Sequence, residues 1–178
     1  FCFGGLLEAL AGFGAPVAIT ATMILALGVK PLKAAITVLL ANTAPVAFGA
    51  VAVPITTAAD VGGKDAHVIA TIVGHQAPFL AMLVPLILLV ILDGMKGLKD
   101  AWLPALIIGV SFAITQWVTA ATPAFNLTDV VACIVSMGVA VIFLQFWKPR
   151  GVEGVRERYG LPAQAEEKEA LPAVRVWM

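Results

Sequence analysis

The chain has 178 residues, of which 61% are hydrophobic and 12% charged, with a formal net charge of zero. A soluble domain is about half apolar and about a quarter charged, and a chain this short cannot enclose so much apolar surface, so lipid must face much of it. Eleven basic residues balanced by eleven acidic ones leave no basic footprint for nucleic acid.

Residues 1–29 make the first apolar element, interrupted by Gly12-Phe13-Gly14-Ala15-Pro16. Its two arms form either one discontinuous helix or a re-entrant hairpin whose tip is the glycine stretch. No loop precedes it to carry a charge signal, and the hairpin is the favoured form. The run opens at Phe1 without a basic leader, unlike a secretory signal peptide, as expected of an internal piece of a longer protein. The second element, 34–55, is broken near Asn42-Thr43-Ala44-Pro45. Residues 68–92, 101–121 and 128–147 are the third, fourth and fifth. A crossing helix needs about 20 residues at a rise of about 1.5 Å each, which the last four elements satisfy. Their alanine, glycine, serine and threonine content suits close helix packing in lipid. The expectation is an all-α, polytopic transmembrane bundle with discontinuous or re-entrant helices over 1–147. Beyond it, residues 148–178 carry Arg150, Glu153, Arg156, Glu157 and Arg158 and then Glu166-Glu167-Lys168-Glu169, broken by prolines. This reads as a solvated loop or tail.

Charge orients the bundle. If elements two to five each cross once, one side receives Lys30, Lys33, Lys96, Lys99, Lys148 and Arg150, and the other Lys64 alone. Positive charge is retained in the cytoplasm, so the first side, with residues 148–178, is expected to be cytoplasmic. Trp102 and Trp147 fall near that interface and Trp117 nearer the other.

The informative feature is a repeated interruption. Gly14-Ala15-Pro16-Val17-Ala18 recurs as Thr43-Ala44-Pro45-Val46-Ala47, with a weaker echo at Gln76-Ala77-Pro78. Each proline stands where a new helical turn can begin, because that position tolerates its missing N–H. Non-helical backbone at membrane depth survives only inside protein or beside a watery cavity. Helices restarting at Pro16 and Pro45 are therefore expected to aim open N–H groups and positive dipole ends at one shared cavity, suited to a small anion. The expected substrate contacts are Gly12, Phe13, Gly14 and Ala15 in the first break and Asn42, Thr43 and Ala44 in the second. Glu8, four residues before Gly12, is an intramembrane carboxylate and a candidate carrier of a coupled proton. His75, in the third element, is a second proton candidate. Each of these has a plainer alternative: helix kinking for the breaks, an interfacial position for Glu8, an interhelical hydrogen bond for His75. Cys2 and Cys133 read as small buried hydrophobes, and no metal-ligand or nucleophile motif stands in the chain, so no metal or cofactor is expected.

The stretch Phe3-Gly4-Gly5-Leu6-Leu7-Glu8-Ala9-Leu10-Ala11-Gly12-Phe13-Gly14-Ala15-Pro16-Val17-Ala18-Ile19 resembles the glycine signature of the L-lactate permease family. Leu40-Ala41-Asn42-Thr43-Ala44-Pro45-Val46-Ala47-Phe48-Gly49-Ala50 is similar to that family's second signature, and the likeness continues to Trp147. The resemblance implies proton-coupled uptake of L-lactate, glycolate or a related 2-hydroxy monocarboxylate across a bacterial cytoplasmic membrane. It also implies a partner in the remaining half of a longer, two-halved transporter. Rival readings are a transporter of another organic anion, a passive channel, and an intramembrane enzyme using Glu8 and His75 as acid and base.

Overall fold

The computed structural model describes residues 1–12 and 14–147. Phe13, named above as a substrate contact, and the polar stretch 148–178 lie outside the described residues. The described chain runs through α1 (Cys2–Ala11), α2 (Ala15–Ala26), α3 (Pro31–Ala41), α4 (Gly49–Gly62), α5 (Ala66–Ala120) and α6 (Thr128–Phe146), with a 3-10 turn at Phe125–Leu127. In lipid a backbone must satisfy its own polar groups, which so apolar a sequence achieves as helix. α5 and α6 are long and apolar enough to cross a membrane by length and composition. The chain is an all-α membrane helical bundle.

α5 is two legs rather than one rod. Its 55 residues would reach about 80 Å if straight, more than twice the thickness of a hydrocarbon core. Gly94, with φ 66° and ψ −157°, and Ala101, with φ −134° and ψ 20°, break it. The legs 66–93 and 102–120 fold back on each other, so that Gly74 meets the Ala120 methyl and Gly109 meets the Met82 carbonyl. Asp65 caps the first leg, accepting from the His67 and Val68 amides at 2.8 and 3.2 Å. Pro78, Pro85 and Pro104 lie inside the legs without ending them. The expected echo of the break at Gln76-Ala77-Pro78 is thus corrected: the helix continues, because neighbouring helices in a bundle tolerate the lost hydrogen bond.

α1 and α2 pack against each other in opposite directions, with the Thr20 methyl 3.2 Å from where a Gly4 side chain would begin. The first element is thus a helical hairpin with its tip at 12–14. α3 and α4 are not packed side by side; α3 lies on α2 and α5, and α4 on α1 and α5.

Two contacts fix the ends of the bundle. Lys33 Nζ donates to Leu92 O at 3.3 Å, bringing the start of α3 beside the turn between the α5 legs. At the opposite end His67 Nε2 donates to Ala121 O at 3.2 Å. Lys30, Lys33, Lys96 and Lys99 therefore share one end, and Lys64 belongs to the other. One apolar cluster gathers Ala44, Val84, Leu88, Phe112 and Cys133, with the Phe1 ring edge-on to Phe112 at 5.2 Å. A second, nearer the Lys64 end, gathers Phe48, Ala52, Ile55, Ala70 and Ala120.

Candidate functional site

The first break leaves donors open. Gly12, at φ 53°, ends α1 by donating its N–H to Glu8 O at 3.0 Å. Gly14, at φ 92°, starts α2 with no side-chain cap, and Pro16 sits in the first turn. Ala18 N–H bonds back to Gly14 O at 3.4 Å. The amides of Gly14 and Ala15 have no acceptor among the described residues, and they point along the positive end of the α2 dipole. Gly14 and Ala15 are exposed.

The second break closes only its first two amides. Asn42 N–H donates to Val38 O at 3.0 Å and Thr43 N–H to Leu40 O at 3.1 Å, while Thr43 Oγ1 donates to the same carbonyl at 2.7 Å. The chain then turns through 42–48, and α4 opens at Gly49, not at Pro45, with regular right-handed backbone only beyond Ala52. The expected restart at Pro45 is corrected, and the extra residues carry Phe48 fully into the core. The Asn42 and Thr43 amides satisfy the carbonyl end of α3, while those of Ala44, Val46, Ala47 and Phe48 have no acceptor among the described residues. Ala50, Val51 and Ala52 follow with φ of 46°, 58° and 61°. Left-handed backbone costs about 1–2 kcal/mol per residue, and a β-branched residue such as Val51 rarely adopts it.

α1 ties the two breaks together. A Cβ on Gly5 would lie 2.8 Å from Cys133 Sγ and 3.7 Å from Pro45, the Glu8 side chain lies against Gly49, and a Cβ on Gly12 would lie 2.6 Å from the Ala50 methyl. A bulkier α1 would hold the breaks apart.

Two polar features are enclosed by this arrangement. A cavity of about 140 Å³ opens between α1, α2, α3 and the first α5 leg, lined among others by Gly4, Thr20, Thr37, Asn42 and Leu88. Thr20 Oγ1 is bonded to Pro16 O at 2.7 Å, whereas the buried Thr37 hydroxyl has no hydrogen-bond partner. The second feature is acidic. Glu8, 6% exposed, lies one turn beyond Gly5, which packs on Cys133, and the fully buried Asp129, one turn before Cys133, accepts from Gln116 Nε2 at 2.9 Å.

Residues 1–176 match the family profile described as L-lactate permease. The chain belongs to the L-lactate permease family. It is 49% identical over 153 residues to the glycolate permease GlcA of Escherichia coli K12, covering 86% of this chain and 27% of that protein. It is 42% identical over 178 residues to the L-lactate permease of Bacillus subtilis 168, covering 98% of this chain and 32% of that protein. Against the L-lactate permease of E. coli K12 it is 45% identical over 149 residues, covering 84% and 27%. The chain thus spans about a third or less of the length of these curated relatives. No solved structure matches it.

Within this permease segment the expected contacts separate. Asn42 lines the cavity, and Glu8 lies beside the second break. Gly14 and Ala15 keep open amides at the hairpin tip, while Gly12 has given its N–H to Glu8 O. Thr43 is exposed and bonded to α3, and Ala44 is core. His75 stands apart on the outer face of α5: its Nδ1 meets Thr71 O at 2.6 Å, and its ring lies edge-on to Trp117 at 6.0 Å. The groove around it, lined by residues such as Pro78, Met82 and Trp117, takes in no residue of α1 or α6. Glu8 and His75 are not brought together as the acid and base of an enzyme. Thr37, Gln116 and Asp129 were not singled out in the sequence. Asp129, second in its helix, reads as an ordinary acid at a helix start; only the fold shows it buried.

Proposed function

We propose that this chain forms part of a secondary transporter carrying L-lactate, glycolate or a related 2-hydroxy monocarboxylate with protons across a bacterial cytoplasmic membrane. The supporting observation is the family match over nearly the whole chain, whose relatives are named for lactate and glycolate. The cavity at Thr37 and Asn42 has room for a three-carbon acid and offers a hydroxyl and an amide for its oxygens. An anion among neutral groups in lipid carries a costly uncompensated charge, which a co-travelling proton removes. Glu8 is the proton carrier in this reading. Gly14 and Ala15 supply backbone donors to the anion nearer the Lys64 end, in the manner of broken transporter helices. α3 and α4 together, each leg of α5, and α6 make one crossing of the bilayer apiece, the lysine-rich end faces the cytoplasm, and 148–178 follows on that side.

Lactate uptake by cells expressing full-length variants tests this. Thr37→Val keeps the side chain's shape and removes its hydroxyl. A lost hydrogen bond of about 0.5–1.5 kcal/mol raises KM about two- to tenfold. Asn42→Ala abolishes uptake while membrane insertion stays normal. Unchanged uptake in both variants overturns the cavity as the substrate site.

A further inference from the structure

The interface of α1, α6 and the second α5 leg holds an imbalance of hydrogen-bonding groups. Glu8 Oε2, Asp129 Oδ2 and Gln116 Oε1 are all buried and all without a partner. Every one is an acceptor when the acids are ionised, so what the cluster lacks is donors. Among the described residues, the only side-chain donor bonded to either acid is the Gln116 amide, on Asp129 Oδ1. Cys2 meets Ser136 and Gly5 meets Cys133, so Glu8, one turn further along α1, faces Asp129, one turn earlier in α6, and two ionised carboxylates facing each other out of water repel. A helix N-terminus favours an acid by at most about 2 kcal/mol, less than the several kcal/mol that taking a charge out of water costs, and Asp129 has no exposed area. A proton on either acid removes one charge and supplies a missing donor. Gln116 suits such a site because it donates to one carboxyl oxygen and presents an acceptor for a protonated one.

The titratable groups facing this cluster are few. α6 adds Cys133, one turn from Asp129, and α1 adds Cys2, whose Sγ lies 3.3 Å from Ser136 Oγ. α4 meets Glu8 with Gly49, and the α5 leg adds the neutral Gln116. Asp129, Cys133 and Ser136 share one buried stripe of α6, leading from the Lys64 end toward mid-helix along the α1 contact.

We propose that Glu8 and Asp129, with Gln116 bonded to the second, form a single proton-binding site in which the two acids hold one proton between them. The inference rests on the transport reading above and deepens it: the coupled proton belongs to a pair, and Asp129 is as necessary as Glu8.

The test uses the full-length protein in proteoliposomes, with two assays and one spectrum. Asp129→Asn mimics a permanently protonated acid. It loses lactate accumulation driven by an imposed pH gradient but still exchanges labelled for unlabelled lactate, which requires no proton release. Wild-type protein at neutral pH shows the infrared carbonyl band of a protonated carboxylic acid, and Glu8→Gln and Asp129→Asn each shift or remove it. Gln116→Leu moves the pH at which the band titrates. Gradient-driven accumulation by Asp129→Asn at the wild-type level overturns the proposal. If that variant fails to insert, a wild-type spectrum without any band altered by Glu8→Gln overturns it instead. Wild-type uptake indifferent to the gradient removes the coupling reading, and the spectrum then still decides whether the pair holds a proton.

Discussion

Gly12→Ala probes the contact that joins the two breaks. The alanine must adopt φ near 53°, and its methyl falls 2.6 Å from the Ala50 methyl. With ψ near −165° this backbone is essentially confined to glycine and costs another residue about 1–3 kcal/mol. Overpacking of a filled contact costs about 1–3 kcal/mol. Together these predict a loss of about 2–6 kcal/mol, enough to part α1 from the turn at Gly49. Ala50→Gly removes the opposing methyl, so the double variant recovers the overpacking share and keeps the backbone share. Gly14→Ala is the control. Its φ of 92° is also left-handed, but nothing lies within 4 Å of the added methyl, so it shows backbone strain alone. The assay is the thermal midpoint of the detergent-solubilised full-length protein, followed by tryptophan fluorescence, with lactate uptake measured in parallel. Equal losses for Gly12→Ala and Gly14→Ala, with no recovery in the double variant, would refute the proposed junction.

Other sites give independent outcomes. Gly109→Ala forces a methyl onto the Met82 backbone carbonyl, which cannot move without parting the α5 legs, and lowers stability by about 1–3 kcal/mol or more. Gly138→Ala, in open space on α6, is neutral or gains about 0.5–1 kcal/mol of helix propensity; the same thermal assay compares the pair. Val51→Gly relieves left-handed strain and raises the midpoint by the equivalent of about 1–2 kcal/mol. A lower midpoint would show that the Val51 side chain matters more than its backbone. His75→Gln loses the edge-on contact with Trp117, worth about 0.5–1.5 kcal/mol, yet retains gradient-driven lactate accumulation. Abolished accumulation with normal insertion would return His75 to the proton path.

The legible part of this fold was its solvent and its punctuation. Composition identifies lipid as the surroundings, and Gly12 to Pro16 and Asn42 to Pro45 mark where helices stop, because glycine and proline act on the backbone locally. Where the second helix resumes was less legible. Pro45 looks like a first-turn proline, yet the start is delayed to Gly49 because Phe48 must reach the core and Thr43 closes α3. The amides at the tips of the breaks are engaged for a similar local reason. An N–H at Gly12 or Asn42 serves whichever acceptor is nearest, and here that is the preceding helix. Glu8 stood out as a charge within an apolar run. Asp129 did not, since an acid at a helix start is ordinary until the fold covers it, and Gln116 acquires meaning only thirteen residues away from its partner. Thr37 is a common helix-packing residue whose unpaired hydroxyl only the cavity exposes.

The most direct measurement is uptake of labelled L-lactate by proteoliposomes containing the purified full-length protein, under an inward proton gradient with no other energy source. Proton-coupled symport gives accumulation above the outside concentration, abolished by a protonophore and competed by glycolate. Uptake no greater than in protein-free liposomes, or lactate entry that stops at equilibrium whatever the gradient, would contradict it.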